Sequence, residues 1–484
     1  METLALPKVL NAVGNQEELH AALAQGKNPI SIEKGFEIDS EGGLLVTYDV
    51  TLIGGGHTIS RAVGFSEALF VVSSGATLCL ANLILDGNRK NQAQADSLIR
   101  LNGGTLRLEQ GTVLQNNAAQ NNGGAVFLNG TSFVVNRLIL QDDAAIRNCS
   151  AVEAGGGVYA VFRNPSAPST ILLTGNSIIE CNMAQMGGGI AVCHENAESG
   201  MPTGLGELTI KGRAKLLHNT ATEKGGGIAY LDSDKESPQA AASIRMQLSE
   251  EAVLTGNQAQ TNGGGIYFFA SRPVNGFVFR DSAKILENTA NKGAGIYVDC
   301  ADMGADIVLS GGEISNNRAV EDGGGICFHT VEMRDPTNPE KSGTVSLSDT
   351  LVRQNTALNG GGIAVMGAGL LTLDGNSAVV QNTSFQHGGG IYLSGVGSVL
   401  QMCDTATLAG NKAVNGGGIY NQGAVCVKGE ARIQNNTASK TGAGVYNQGN
   451  VSLEGAPRIT DGLYLPAQEF VPTISAPLSK SAAV

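Results

Sequence analysis

The sequence predicts an all-β fold, a single-stranded right-handed parallel β-helix (solenoid) of about 13 coils with an N-terminal helical cap. Three observations predict it. A glycine-rich triplet followed by Val or Ile recurs eleven times, at intervals of 26 to 38 residues. An asparagine precedes each of these β-branched residues by 8 to 10 positions, and the distance onward to the next asparagine varies from 17 to 29 residues. One arc of each unit is therefore constant and the other accepts insertions.

The repeated positions are these. The β-branched residues that follow the triplets are Val126, Val158, Ile190, Ile228, Ile266, Ile296, Ile326, Ile363, Ile391, Ile419 and Val445. The asparagines that precede them are Asn117, Asn148, Asn182, Asn219, Asn257, Asn288, Asn317, Asn355, Asn382, Asn411 and Asn436.

The chain divides into three predicted parts. Residues 1–29 form the N-terminal cap, in which residues 16–25 read as a short helix with Asn15 as N-cap and Glu18 three residues on. Residues 30–455 form the β-helix, whose first coils, before residue 110, are irregular. Residues 456–484 read as a tail or as the start of a further module, and we expect the chain to be a piece of a longer protein.

Each coil is predicted to hold three short strands. Alternation after the triplet, as in Ile266 to Phe269, gives a strand with one buried face. A second strand follows, and a third leads into the asparagine. The glycines suit a corner where every coil bends and stacks at the same place. The asparagine suits the neighbouring corner, because it tolerates the left-handed conformation and its amide can bond to the asparagine stacked above it.

Composition excludes several classes of function. The net charge of -12, without a Lys/Arg cluster, predicts no nucleic-acid partner. The eight cysteines occur singly, with no zinc-type spacing, which predicts reduced, packed thiols, no metal site and no cofactor. No apolar run approaches the roughly 18 residues of a transmembrane segment. The start of the chain lacks the features of a signal peptide, so the protein is either cytoplasmic or, as we expect, a mature piece whose export signal has been removed.

The constant arc resembles that of a known family. Chlamydial polymorphic outer membrane proteins carry many copies of GGA[ILV] and FxxN elements, and this chain is similar to them over roughly residues 105–450. An aliphatic-x-x-Asn element precedes ten of the eleven triplets; the exception is Asn148, where Ala145 holds the first place, and Phe never does. The chain is also similar to the pectin-lyase-like repeats of large bacterial surface proteins. The resemblance implies a monomeric adhesin at the cell surface or outside the cell.

A row of aromatic residues is the first candidate binding site. The residue after the triplet's Val or Ile is predicted to point outward, and Tyr392, Tyr420 and Tyr446 of successive coils would form an exposed ladder for sugar rings or a partner protein. The alternative is that these β-forming residues stack on one another for structural reasons. The full aromatic row is Phe127, Tyr159, Tyr267, Tyr297, Tyr392, Tyr420 and Tyr446.

Insertions after the same strand are the second candidate. They are expected to project from one edge of the solenoid and to form a binding surface, or to be tolerated loops without a ligand. They comprise residues 162–169, 193–206, 231–243, 270–276 and 328–343.

One pair of residues is a candidate for catalysis. Asp299 and His329 both lie three residues after their Ile on neighbouring coils, with Asp302 and Cys327 nearby. An aspartate beside a histidine can orient it for base catalysis or bind a metal, although a surface ion pair is the simpler interpretation. We expect only a structural ion pair between Lys292 and Asp322.

Three functions fit the sequence. The pattern favours a non-enzymatic surface protein that binds carbohydrate or a host or matrix protein through its loops and aromatic row. A polysaccharide lyase or glycoside hydrolase is the second hypothesis, which the sequence disfavours because Asp142 and Asp143 have no charged partners at the same register. A passive spacer is the third.

Overall fold

A computed structural model describes residues 11–39, 43–73, 75–195, 204–232, 244–270, 274–300, 305–330, 343–467, 470–479 and 482–483. The chain winds as a right-handed parallel β-helix, in which three sheets run along the axis and every pair of strands is parallel. The predicted fold class is confirmed.

Sheet 1 contains the strand that follows each glycine triplet. It has 15 strands, three before the first triplet and one after the last, which is why it exceeds the 11 units of the clear repeat and the predicted coil number of about 13. Its strands are Leu44–Val46, Phe70–Ser73, Ile99–Asn102, Val126–Leu128, Val158–Phe162, Ile190–His194, Ile228–Asp232, Ile266–Ala270, Ile296–Cys300, Ile326–Thr330, Ile363–Met366, Ile391–Ser394, Ile419–Asn421, Val445–Asn447 and Leu463–Tyr464.

Sheet 2 has 30 strands in two arms, because most coils bend once within it. The strands Val274–Leu286 and Ala305–Ser315 pass through both arms without a break. The other strands of the first arm are Ala12–Val13, Ile30–Ile32, Val50–Ile53, Thr77–Ala81, Thr105–Leu108, Arg137–Leu140, Ser169–Leu173, Gly206–Ile210, Ile244–Leu248, Thr344–Ser348, Leu370–Asp374, Val399–Met402, Ala424–Val427, Asn450–Gly455 and Thr473–Leu478. Those of the second arm are Phe36–Ile38, Thr58–Arg61, Ile84–Asp86, Val113–Gln115, Ala145–Arg147, Ile178–Glu180, Lys215–Leu217, Val253–Thr255, Leu351–Arg353, Ala378–Val380, Thr407–Ala409, Arg432–Gln434 and Arg458–Ile459.

Sheet 3 has 11 strands and lies between the asparagine and the triplet of each repeat unit. Its strands are Ala118–Ala119, Ser150–Ala151, Met183–Met186, Thr220–Lys224, Gln258–Ala259, Thr289–Ala290, Arg318–Ala319, Thr356–Asn359, Thr383–His387, Lys412–Asn415 and Thr437–Thr441.

The α-helix Gln16–Ala24 lies at the N-terminal end, as predicted. The side chain of Asn15 accepts a hydrogen bond from the Glu18 backbone N–H, and Glu18 reaches back to the N–H of Gly14. Leu19 and Leu23 are buried in the same core as the first coils. At the other end, three strands within residues 456–484 pair with the preceding coil. The limits of the cap, the β-helix and the tail stay predictions.

The asparagines form a buried ladder between sheets 2 and 3. From Asn182 to Asn436, the side-chain amide and the backbone N–H of each asparagine donate to Oδ1 of the next, over 2.9 to 3.1 Å. Asp461 ends the ladder by accepting from Asn436. The ladder satisfies backbone groups that would otherwise be buried without partners.

Two predictions about this corner are wrong. The left-handed residue is not the ladder asparagine but the one before it, for example Asn316 with φ of 55° before Asn317. In the second repeat unit, Asn148 is that left-handed residue and Cys149 holds the ladder position. Counted from Cys149, the aliphatic residue three positions earlier is Ile146, so the apparent exception in the sequence pattern disappears.

The glycine corner explains the triplet. The first glycine has a positive φ, as in Gly263 with φ of 70°, a conformation that strains other residues. A Cβ on Gly265 would lie 2.5 Å from the carbonyl oxygen of Gly295 in the next coil, so stacking requires its absence. One continuous apolar core fills the interior, from Val13 to Ile459.

Candidate binding face

The residues that follow the triplet's Val or Ile form one row on the outside of sheet 1. Strand register stacks each of them directly on the next. In chain order, this row is Phe127, Tyr159, Ala191, Ala229, Tyr267, Tyr297, Cys327, Ala364, Tyr392, Tyr420 and Tyr446.

The prediction of an exposed ladder is wrong for Tyr420, and Tyr267 and Tyr297, which point outward as predicted, are buried as well. The exposed fraction is 2% for Tyr267, 5% for Tyr297 and 8% for Tyr420. Side chains at the ends of sheet 3 strands cover them: Lys224 Nζ lies 4.9 Å from the ring centroid of Tyr267, and the His387 and Tyr420 ring centroids are 4.4 Å apart. The half-buried members are Phe127, Tyr159, Tyr392 and Tyr446.

The aromatic ladder itself is present and is one ring longer than the sequence indicated. Ring centroids of Tyr392, Tyr420, Tyr446 and Tyr464 are successively 5.6, 4.8 and 5.2 Å apart. Tyr464 is 40% exposed and forms the end of the stack. The repeat pattern does not indicate Tyr464 because no triplet precedes it, although Asp461 in the ladder position is a possible signal. The ladder is a structural stack whose end is accessible.

A second row, two residues further along each strand, is more accessible. We call it the outer band: Leu231, Phe269, Asp299, His329 and Met366, which are paired in register on five consecutive coils. All five are half-buried, and the apolar members pack against the buried row beside them on the same face of the sheet. The outer band therefore presents apolar side chains on both sides of a polar pair.

Hydrogen bonds join the outer band to the buried row beside it. His329 Nδ1 lies 3.0 Å from Asp299 Oδ1, so the predicted contact between these residues is present. The Tyr267 hydroxyl donates to Asp299 Oδ2 over 3.1 Å and accepts from Lys224 Nζ over 3.3 Å. Burial, reinforced by the charge of Asp299, raises the pKa of Tyr267 and keeps it a donor. The network fixes Asp299 from two sides.

This arrangement defines the chemistry available at His329. Because the Asp299 carboxylate accepts from Nδ1–H, the neutral imidazole carries its proton there and leaves Nε2 as the acceptor. The His329 side chain is 45% exposed and that of Asp299 is 22% exposed. Burial raises the pKa of the neighbouring Cys327 thiol, which keeps it protonated. Through Nε2 of His329, the Asp299–His329 pair can accept a proton or a hydrogen bond from a ligand hydroxyl.

Several other predicted features have structural roles or lie outside the described residues. Lys292 Nζ lies 3.0 Å from Asp322 Oδ2, as expected of the structural pair. Asp143 accepts from the N–H of Gly111 over 2.7 Å, and Asp142 occupies a left-handed corner with φ of 56°. Asp302 is outside the described part of the chain. So is most of the predicted insertion surface, at residues 196–203, 233–243, 271–273 and 331–342.

Within the described ranges, no three or more His, Cys, Asp or Glu side chains are grouped so as to hold a metal ion. No helix in those ranges is both long enough and apolar enough to span a membrane.

Comparison with known proteins links one stretch of the chain to a named repeat. A family model described as the Chlamydia polymorphic membrane protein (Chlamydia_PMP) repeat matches residues 251–268. This stretch runs from the strand Val253–Thr255 through Asn257 and the triplet at residues 263–265 to Phe268. It is thus one complete constant arc. No curated protein and no solved structure matches the chain.

Proposed function

We propose that this chain is the rod of a bacterial surface or outer-membrane protein of the adhesin type, and that the outer band binds carbohydrate or a host or matrix protein. The observation that carries this proposal is the outer band itself. Five half-buried side chains of mixed chemistry stand in register on five consecutive coils. A regular β surface of this kind is a preorganised platform, which lowers the entropic cost of binding.

The surface location rests on the matched repeat. The constant arc at residues 251–268 matches a repeat named for a chlamydial membrane protein, and the same arc recurs in the other units of the chain. Stacked repeats build a long lateral surface, which is the part of a solenoid that other repeat proteins use for recognition.

The chemistry of the outer band suits a partner with both apolar and hydroxyl groups. Phe269 and Met366 offer apolar contact, and a saccharide ring has apolar faces that pack against such groups. The Asp299 carboxylate and Nε2 of His329 accept hydrogen bonds, which suits ligand hydroxyls as donors. The buried Tyr267 and Tyr297 pack beside the band on the same face of the sheet, so the band needs little reorganisation on binding.

Binding assays with matched variants test the proposal. A triple variant, Phe269→Ser with His329→Ala and Met366→Ser, removes the accessible chemistry of the outer band. Its control carries Phe385→Ser, His218→Ala and Val320→Ser, the same kinds of change at exposed positions elsewhere. A glycan array and a panel of immobilised collagen, laminin and fibronectin serve as probes. We expect a ligand that binds the wild type and the control and binds the outer-band variant at least about tenfold more weakly.

Loss of binding in both variants, or in neither, would contradict the outer band as the site. A wild-type chain that binds none of these probes would favour the spacer hypothesis. Thermal unfolding of all three proteins, followed by circular dichroism, shows whether the variants keep the fold.

A polysaccharide-degrading enzyme is the second candidate, because Asp299 orients His329 over 3.0 Å. Such a pair can act as a general base on an acidic sugar proton. Release of unsaturated uronates or reducing ends from a polysaccharide panel is the measurement. Turnover that Asp299→Asn abolishes and Asp143→Asn leaves unchanged would establish the enzyme; no turnover by the wild type would exclude it for the polysaccharides tried.

A further inference from the structure

A cavity of about 600 Å³ with polar residues in its lining lies at the corner between sheets 2 and 3, far along the chain from the outer band. Three successive coils contribute to it. Its lining residues are Asp86, Asn88, Arg89, Lys90, Asn91, Asn116 and Asn148. Its volume falls within the range of about 300 to 1,000 Å³ that is usual for small-molecule sites.

The cavity exists because sheet 3 begins one coil later. In the coil that contains the strand Ile84–Asp86, residues 87–94 form a loop where later coils have a sheet 3 strand. The Arg89 N–H donates to the carbonyl of Asn116 over 2.8 Å, and Ala95 forms a single bridge with Ala119. The loop is thus attached at both ends to the next coil.

Asp86 is part of the framework of the cavity. Its Oδ2 accepts from Gln115 over 2.9 Å and from Asn116 over 2.8 Å, and its Oδ1 accepts from the backbone N–H of Asn88 over 2.8 Å. Three donors from the protein satisfy this carboxylate, so it is fixed in place and its charge is partly compensated. It orients Asn116 and Asn88 toward their positions in the lining.

The two cations of the cavity lack protein partners. Arg89 and Lys90 are exposed, and neither forms an ion pair with any residue that the structure describes. The exposed Asn148 side chain likewise has no hydrogen bond within the described ranges. On a chain of net charge -12, two adjacent unpaired cations beside a cavity create a local site for an anion.

We propose that this cavity binds a carboxylated sugar, a uronic or a sialic acid. The guanidinium of Arg89 is suited to pair with a carboxylate through two parallel hydrogen bonds, and Lys90 adds a second positive charge. The carboxamides of Asn91 and Asn148 can both donate to and accept from ring hydroxyls. The remaining volume accommodates a saccharide ring, whereas an inorganic anion would leave most of it empty.

The lining also disfavours a nucleotide. The lining residues include no aromatic side chain on which a base could stack. The inference does not depend on the outer band, because the two sites share no residue, and it would hold for a chain in any location.

Isothermal titration calorimetry of the full chain tests the proposal with four probes: the methyl glycosides of glucuronic acid and of N-acetylneuraminic acid, methyl glucoside, and inorganic phosphate. We expect at least one of the two acidic sugars to bind and the neutral glucoside to bind at least about tenfold more weakly. The double variant Arg89→Gln with Lys90→Gln should weaken binding of the acidic sugar at least about tenfold. Which acidic sugar binds more tightly identifies the source of the carboxylate.

The control is Lys412→Gln with Lys440→Gln, which changes the net charge equally at exposed positions on sheet 3. It should bind like the wild type. Equal weakening in both double variants would show general electrostatics and overturn the site. Phosphate binding as tight as that of the sugars, or no binding of either acidic sugar, would also overturn the proposal. An outer-band variant that keeps its acidic-sugar affinity separates this result from that of the proposed function.

Discussion

The backbone N–H of Cys149 donates to Oδ1 of Asn182 over 2.9 Å, so a cysteine occupies one position of a ladder otherwise built from asparagines. Its thiol contacts the Arg147 carbonyl at 3.4 Å, and burial raises its pKa to about 12. In the preceding coil, the side-chain amide of Asn117 donates to the carbonyls of Asp96 and Gly124 and not to the next position of the ladder. The ladder is therefore interrupted between Asn117 and Asn182.

Cys149→Asn should stabilise the chain. The new carboxamide can donate to Asn182 and accept from Asn117, as its equivalents do along the ladder. Each added hydrogen bond contributes about 1 kcal/mol, and the lost burial of the thiol offsets part of this gain. We expect the free energy of unfolding in urea to rise by about 1 kcal/mol. Cys149→Ala is the control and should not stabilise; a gain of the same size there would mean that removal of the thiol, not the ladder, is responsible.

Asn288→Ala should be strongly destabilising. Its Oδ1 accepts two bonds from Asn257, and its amide donates to Asn317 and to the Leu254 carbonyl. Truncation leaves several buried polar groups without partners, at about 1 to 3 kcal/mol each, so we expect a loss of about 3 kcal/mol or more. The measurement is the same urea titration.

The control for the ladder is the left-handed position next to it. Asn316 is exposed with φ of 55°, and Asn316→Gly should be within about 0.5 kcal/mol of the wild type. If Asn288→Ala were as mild as Asn316→Gly, the ladder would not stabilise the fold.

The sequence predicted the two corners well because each is a local requirement repeated many times. Ladder asparagines and corner glycines must recur at fixed spacing, and the spacing becomes 8 or 9 residues throughout once Cys149 replaces Asn148 in the count. It did not predict the burial of Tyr267 or Tyr420. That burial depends on how the end of a sheet 3 strand folds across sheet 1, and the residues that cover the tyrosines, Lys224 and His387, share no residue type.

The charged cavity was missed for a related reason. The loop that carries Arg89 precedes the first triplet, so its position could not be aligned from the sequence with those of Asn116 and Asn148 in the regular units. The contact between Asp299 and His329 was predictable because both lie in regular units, at the same distance from their Ile.

Gly263→Ala should destabilise the chain more than Gly410→Ala. Both glycines have nearly the same φ, 70° and 67°, so both substitutions strain the backbone by about 1 to 2 kcal/mol. A Cβ on Gly263 would lie 2.4 Å from the Ile266 carbonyl oxygen, whereas one on Gly410 would approach only Gln381 Cγ, at 3.5 Å. The difference between the two variants in urea unfolding measures the steric term. Equal losses would show that the triplet is required only for its dihedral angles.

Tyr297→Phe should reduce the loss of stability at alkaline pH. Burial, and then the charge of Asp299, raise the pKa of Tyr297 above its ordinary value of 10.0. The unfolded chain releases this proton first, so the contribution of Tyr297 to stability is complete below about pH 10 and is lost as the pH rises from there toward the folded pKa. Phenylalanine does not titrate, and the variant should match the wild type near neutral pH. Thermal midpoints measured from about pH 9 to about pH 11.5 should fall less steeply for the variant.

Tyr159 and Tyr267, whose pKa values are also raised, should preserve part of the decline. Identical slopes for the two proteins would mean that Tyr297 is hydrated, against its exposed fraction of 5%.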